Sequence, residues 1–159
     1  MPAKIVIADD HEIVLDGIRT LVGRAGRDWE ICGEARNGQQ AIELVKSMKP
    51  DLAILDITMP VMNGLEAARQ IVKMHTGAKL LVFTMHESDR LAVEVRDAGA
   101  DGFVLKSQAS RDLIRAIDQV LAGGQFFGGK AGEPSPEVKA AKPRESPLRF
   151  LVYAFGNSW

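Results

Sequence analysis

The chain of 159 residues is predicted to be an α/β domain with a doubly wound parallel sheet. Three observations predict it. Five short apolar runs recur along the sequence, as strands buried on both faces of a parallel sheet do. A segment with apolar residues at helical spacing follows each run. The two kinds of segment alternate throughout, and right-handed crossovers between parallel strands leave few topologies. No internal repeat is present.

The first run is Ile5-Val6-Ile7-Ala8, ended by Asp9-Asp10-His11-Glu12. Ile13, Val14, Ile18, Leu21 and Val22 then recur at helical spacing, and Gly23 and Gly26 help to stop that helix. Trp29 to Gly33 reads as a second strand, nearer a sheet edge, and Asn37-Gly38 as a turn. Ala41, Ile42, Leu44, Val45 and Met48 make the next helical face, and Pro50 ends it. The central strand is Leu52-Ala53-Ile54-Leu55, followed at once by Asp56 and a turn containing Pro60 and Asn63-Gly64. Leu65, Ala68, Ile71 and Val72 form a third helix, ended near Gly77. Leu80-Leu81-Val82-Phe83 is the fourth strand, with Thr84 at its end. A short helix over 89–98 carries Leu91, Val93 and Val95. Gly102-Phe103-Val104-Leu105 is the fifth strand, ended by Lys106. Ser110 is expected to cap a last helix with Leu113, Ile114, Ile117, Val120 and Leu121 inward, closed by Gly123-Gly124.

Composition excludes several classes. The length suits one domain with a tail. The formal net charge of −1 gives no global signal for nucleic acid or membrane. Cys32 is the single cysteine, so no internal disulfide forms, and a reducing compartment fits. Asp9, Asp10 and Glu12 interrupt any signal-peptide pattern, and no apolar run reaches membrane-spanning length. The expectation is a soluble, cytoplasmic protein.

In a doubly wound sheet the C-terminal strand ends share one edge, where such folds place their chemistry. That edge gathers Asp9 and Asp10 from the first strand, Asp56 from the third, Thr84 from the fourth and Lys106 from the fifth. Three carboxylates brought together repel unless cations share the space. A hard divalent ion answers this, and Mg²⁺ suits a site of few carboxylates plus waters and phosphate. With the Lys106 charge and the Thr84 hydroxyl, the set would neutralise a phosphoryl group in transfer, with Asp56 as nucleophile. Each residue also has a plainer reading. Asp9 and Asp10 could be helix-start acids, Thr84 a β-branched strand end, and Lys106 a solvated charge.

The residues Asp9-Asp10, Asp56 with Met59-Pro60 and Asn63-Gly64, Thr84, and Gly102 to Lys106 resemble the receiver domain of a two-component response regulator. The resemblance covers about residues 3–124. Ala98-Gly99-Ala100-Asp101-Gly102 and Leu121-Ala122-Gly123-Gly124 look most like the NarL/FixJ (LuxR-type) branch. It implies a flavodoxin-like, doubly wound five-stranded parallel sheet of order 2-1-3-4-5 with five helices. It implies that Asp56 accepts phosphate from the phosphohistidine of a histidine kinase. Asp10, Asp56 and the Thr58 backbone carbonyl would hold Mg²⁺, with Asp9 partly through water. Thr84 and Lys106 would grip the phosphoryl oxygens. Phe103 matches an aromatic that moves when Thr84 is pulled toward phosphate; its plainer reading is a core residue. The switch would be read on the face of the fourth helix, fifth strand and fifth helix, giving a phosphorylation-dependent homodimer. Two departures stand out. Met85 follows Thr84 where the family has a small residue, and His86 comes next; both should flank the site. Met85 either gates the entrance or packs under the fourth helix. His11 and His75 read as surface residues without a metal constellation.

Residues 1–124 are therefore expected to be the receiver, and 125–159 a linker and short tail. The tail is basic at Lys139, Lys142, Arg144 and Arg149, and apolar at Phe150, Leu151, Val152, Tyr153, Phe155 and Trp159. It faintly resembles the start of a helix-turn-helix output domain, as a truncation or a remnant. DNA would be a partner only if that missing domain is present. The expected function is a phosphorylation-activated switch that controls transcription in full-length family members, with no enzyme activity beyond its own phosphoryl transfer and loss. The alternative is a phosphatase with an aspartyl-phosphate intermediate, as in haloacid-dehalogenase-like enzymes. That family has a second Asp two residues after its nucleophile, where this chain has Thr58.

Overall fold

The computed structural model describes residues 1–85 and 87–128. His86 and the tail from residue 129, with its expected basic and apolar clusters, lie outside the described residues. The elements run β1 Ala3–Ala8, α1 Glu12–Arg24, β2 Trp29–Ala35, α2 Gly38–Met48, β3 Leu52–Leu55, α3 Gly64–Lys73, β4 Lys79–Thr84, α4 Leu91–Asp97, β5 Gly102–Leu105, a 3-10 turn Lys106–Gln108, α5 Ala109–Leu121 and β6 Phe126–Phe127.

All described strands pair in parallel, in the order β2-β1-β3-β4-β5-β6. Alternate strand residues feed two cores. Val6, Ala53, Leu55, Leu80 and Val82 face α2, α3 and α4. Ile5, Ile7, Leu52, Ile54, Leu81 and Val104 face α1 and α5. Burial on both faces explains why the strands read as unbroken apolar runs. Asn37 and Asn63 cap α2 and α3, accepting from the backbone N–H of Gln40 and Glu66 at 2.8 and 2.9 Å.

Several expectations are corrected. The sheet has six strands rather than five. Phe126–Phe127, placed by sequence in the linker, pairs with Gly102 and Phe103, and the compact unit runs to Gly128 rather than to 124. A two-residue strand has no periodicity to read. Its existence depends on a tertiary partner, and a Cβ at Gly102 would lie 1.9 Å from the Phe126 carbonyl oxygen. Ser110 does not cap α5. The 3-10 turn brings the chain in, so Ser110 falls inside the helix. Gly23 lies within α1, and the chain turns at Gly26, with φ of 70°. Ile13 and Val72 fit the helical spacing yet are exposed.

Candidate functional site

The strand ladder fixes the acids. The Asp9 N–H donates to the Ala35 carbonyl at 3.0 Å, and the Asp56 N–H to the Ala8 carbonyl at 3.0 Å. Both residues thus extend the sheet by one step beyond β1 and β3. Asp9, Asp56 and Thr84 are 1%, 3% and 1% exposed, so each is a polar group carried into the core edge. Asp10 is exposed beside them.

Lys106, just beyond β5, reaches across this edge. Its Nζ lies 2.7 Å from Asp9 Oδ2 and 3.4 Å from Asp56 Oδ1. The approach to Asp9 Oδ2 is an ion contact without the angles of a hydrogen bond, which leaves that buried oxygen without an aligned donor. Burial, first, and then the Asp9 carboxylate push the Asp56 carboxyl above its ordinary value of 3.8. The Lys106 cation and the Thr58 backbone N–H pull the other way without overcoming them.

The loop after β3 is held in place at several points. Gly64 N–H donates to the Ile57 carbonyl at 3.0 Å, and Gly38 N–H to the Met62 carbonyl at 2.9 Å. A Cβ at Gly64 would lie 2.0 Å from the Asp56 carbonyl oxygen, so only glycine permits this close return. Met59 is buried beneath the loop, while Val61 stands exposed with φ of 69°, a left-handed conformation that β-branched residues avoid.

His11 is a surface residue, as the sequence predicts, but the expectation that it has no metal constellation around it is corrected. Its ring is largely exposed, yet Nδ1 lies 3.1 Å from Asp9 Oδ1 and 3.1 Å from Asp10 Oδ1. The cause is local: Asp9 Oδ1 accepts the His11 backbone N–H at 2.9 Å, and this turn folds the imidazole back over the acids. The adjacency Asp9-Asp10-His11 was the available signal. Ligand atoms of Asp9, Asp10, His11 and Asp56 all lie within 4.8 Å of one another. Oxygen donors at this density, one of them a buried carboxylate oxygen lacking an aligned donor, fit a hard divalent cation.

The remaining predicted residues take two positions. Met85 is 70% exposed at the rim and is not packed under α4. Phe103 is buried at 7% exposure on the α4 side of the sheet. β4 and β5 pair Val82 with Phe103. Thr84, two residues beyond Val82, therefore shares a sheet face with Phe103.

The sequence profile described as response regulator receiver domain matches residues 5–118. The nitrate/nitrite response regulator protein NarL of Escherichia coli is 38% identical over 122 residues, which cover 77% of this chain and 56% of that protein. The chain therefore spans about half the length of such curated relatives. The chemotaxis protein CheY of Thermotoga maritima is 33% identical over 120 residues, covering 76% of this chain and 98% of CheY. A LuxR-family two-component response regulator from Aurantimonas sp. matches in structure with a TM-score of 0.75 and 35% identity, covering 80% of this chain and 90% of that one. The isolated REC domain of RcsB from Salmonella enterica, solved with the phosphomimetic BeF3−, matches with a TM-score of 0.73 and 26% identity, covering 82% and 95%.

Proposed function

The chain belongs to the response regulator receiver family of two-component systems, and on that premise we propose that Asp56 accepts a phosphoryl group from the phosphohistidine of a histidine kinase. The observation that carries this reading is the meeting of Asp9, Asp56 and Lys106 at one sheet edge, with the Lys106 ammonium against both carboxylates. Burial and the Asp9 carboxylate work against the ionised, nucleophilic form of Asp56, and a cation beside it favours that form. Lys106 supplies one. An Asp56 oxygen attacks phosphorus as the phosphorus–nitrogen bond breaks. The bonding pair returns to the imidazole, which takes a proton from solvent, and an acyl phosphate remains. Lys106 and Thr84 then meet the phosphoryl oxygens. Asp9, Asp10, Asp56 and the Thr58 backbone carbonyl would hold Mg²⁺, which when bound offsets the charge of the phosphoryl oxygens.

Loss of the label needs water in line with the bond to Asp56, and the exposed Met85, next in the chain after Thr84, flanks that approach. Chemistry beyond this self-directed transfer is not part of the reading. The phosphatase alternative is disfavoured, because Thr58 occupies the position of its second acid. The phosphorylated state would favour self-association through the face of α4, β5 and α5, and in longer relatives would control transcription. Among the described residues no helix is long and apolar enough to cross a membrane.

Acetyl phosphate with Mg²⁺, read by intact mass, tests the acceptor. One phosphoryl group should appear on the wild type and none on Asp56→Asn. Phosphate on His11 with Asp56 unmodified would refute the reading. Sedimentation with and without beryllofluoride tests the dimer, and an unchanged oligomer counts against it.

A further inference from the structure

We propose that β6 is a latch on Phe103 whose release reports the state of Asp56 to the point where the chain leaves the compact unit. The proposal rests on the phosphoacceptor reading above and on the Thr84 and Phe103 switch that the family resemblance implies, and adds to them an output element.

The path follows from register. Val82 pairs with Phe103, and Phe103 pairs with Phe127. Paired residues share a sheet face, as does Thr84 two steps beyond Val82. Thr84, Phe103 and Phe127 therefore lie in one diagonal row on the α4 side. Phe103 and Phe127 meet edge to face, with centroids 6.2 Å apart and planes at 74°. The Arg96 guanidinium of α4 sits 4.1 Å from the centroid of the Phe127 ring. Gly128 closes the latch. Its N–H donates to the Phe103 carbonyl at 3.0 Å, its φ is +67°, and a Cβ there would lie 2.6 Å from the Phe103 ring.

Phe103 thus has Val82 opposite it on β4, with Thr84 one diagonal step along the same face, and Phe127 and Gly128 against its ring on the β6 side. Drawing the Thr84 hydroxyl onto a phosphoryl oxygen opens space on the Thr84 side. A packed ring moves into such space rather than leave a void, because a gap forfeits its contacts outright. The move withdraws Phe103 from the edge contact with Phe127. β6 is the element least able to absorb that loss. It has two residues on the sheet edge, tied at its ends by Phe126 N–H to the Asp101 carbonyl at 3.0 Å and by the Gly128 bond. Short elements with few contacts open first. Phe126, buried on the other face with Arg115 5.6 Å from its ring centroid, keeps its place, so release begins at Gly128.

Amide hydrogen exchange on the full chain tests this, with Mg²⁺ present and beryllofluoride added or withheld. Fluorine NMR reports whether beryllofluoride occupies Asp56. Occupancy should speed exchange at Gly128, whose N–H donates to the Phe103 carbonyl, by about fivefold or more, and Asp56→Asn should abolish the effect. Coupling is reciprocal, so Phe127→Ala should tighten beryllofluoride binding by a similar factor of about five. Circular dichroism confirms that the variant is folded. An occupied Asp56 with exchange at Gly128 changed less than about twofold overturns the latch alone, as does unchanged affinity in folded Phe127→Ala. No bound fluoride on the wild type overturns the phosphoacceptor reading and the latch with it.

Discussion

Asp56→Asn should make the metal-free protein more stable at neutral pH. The side chain keeps its shape and its acceptor for the Thr58 backbone N–H, and loses only charge. Asp9 and Asp56 oxygens lie within 4.8 Å, which at an effective dielectric of about 20 is a repulsion of about 3.5 kcal/mol. Burial of an ion adds several kcal/mol, taken here as about 3. Against these stands the attraction to Lys106 Nζ at 3.4 Å, about 5 kcal/mol on the same scale. Removing the charge therefore gains about 1.5 kcal/mol, or about 6 °C in Tm for a domain of this size.

The pH dependence carries the sign. The Asp56 carboxyl is raised above its ordinary 3.8 in the folded state, so the folded protein binds more protons between the two values. Wild-type stability then falls as pH rises through that window, and the penalty is complete above the folded value. The advantage of Asp56→Asn should be largest at neutral pH and fade as pH falls toward 3.8. Calorimetric Tm values in chelator across pH measure it. At tenfold its dissociation constant, Mg²⁺ should restore about 1.4 kcal/mol to the wild type and much less to the variant. A variant less stable than wild type at neutral pH without divalent metal would refute the charge argument. So would a gain that does not vary with pH.

Three further substitutions are informative. Gly64→Ala forces a Cβ against the Asp56 carbonyl oxygen and should cost about 2 kcal/mol or more in urea unfolding, with slower phosphorylation. Val61→Gly should add about 1 kcal/mol by relieving the left-handed conformation of an exposed residue, net of the added freedom of the unfolded chain. Met85→Ala should speed both labelling by acetyl phosphate and loss of the label, since about 1.4 kcal/mol in the barrier suffices for a tenfold change. Rates within about twofold of wild type would show that the exposed Met85 does not gate the site.

The core of the fold was legible because its strands are buried on both faces. Leu52 to Leu55 needs no alternation, and an apolar run followed by Asp56 marks both the strand and its end. The parallel topology then brings Asp9, Asp56, Thr84 and Lys106 to one edge before any side chain is placed. What was missed depends on tertiary partners. Phe126–Phe127 becomes a strand only because β5 offers an edge and Gly102 leaves room for it. The place of His11 depends on a turn closed by the Asp9 side chain. Ser110 lost its capping role to a 3-10 turn that hydrophobic spacing does not encode. Ile13 satisfies helical spacing yet lies on the outward side of α1, because periodicity fixes a stripe without fixing its width.

The charge balance at the edge also explains why a distant latch can be driven from Asp56. One ammonium serves two buried carboxylates, so the resting site already carries an excess negative charge before Asp10 is counted. Phosphorylation replaces the Asp56 carboxylate charge with a phosphoryl group of about two negative charges, a net gain of about one. The site is therefore destabilised until cations and donors close on it, and the groups able to close are Lys106, the divalent ion and the Thr84 hydroxyl. Lys106 is already engaged with both acids, and the ion needs no rearrangement of the sheet. Thr84 is the member whose engagement changes packing, because it shares a face with Phe103. Electrostatic free energy released at Asp56 is thereby available to move an apolar ring, and the cost on the far side is only an edge contact and the end of a two-residue strand. A ligand shifts such an equilibrium by its differential affinity for the two states. The weak β6 latch keeps that requirement small.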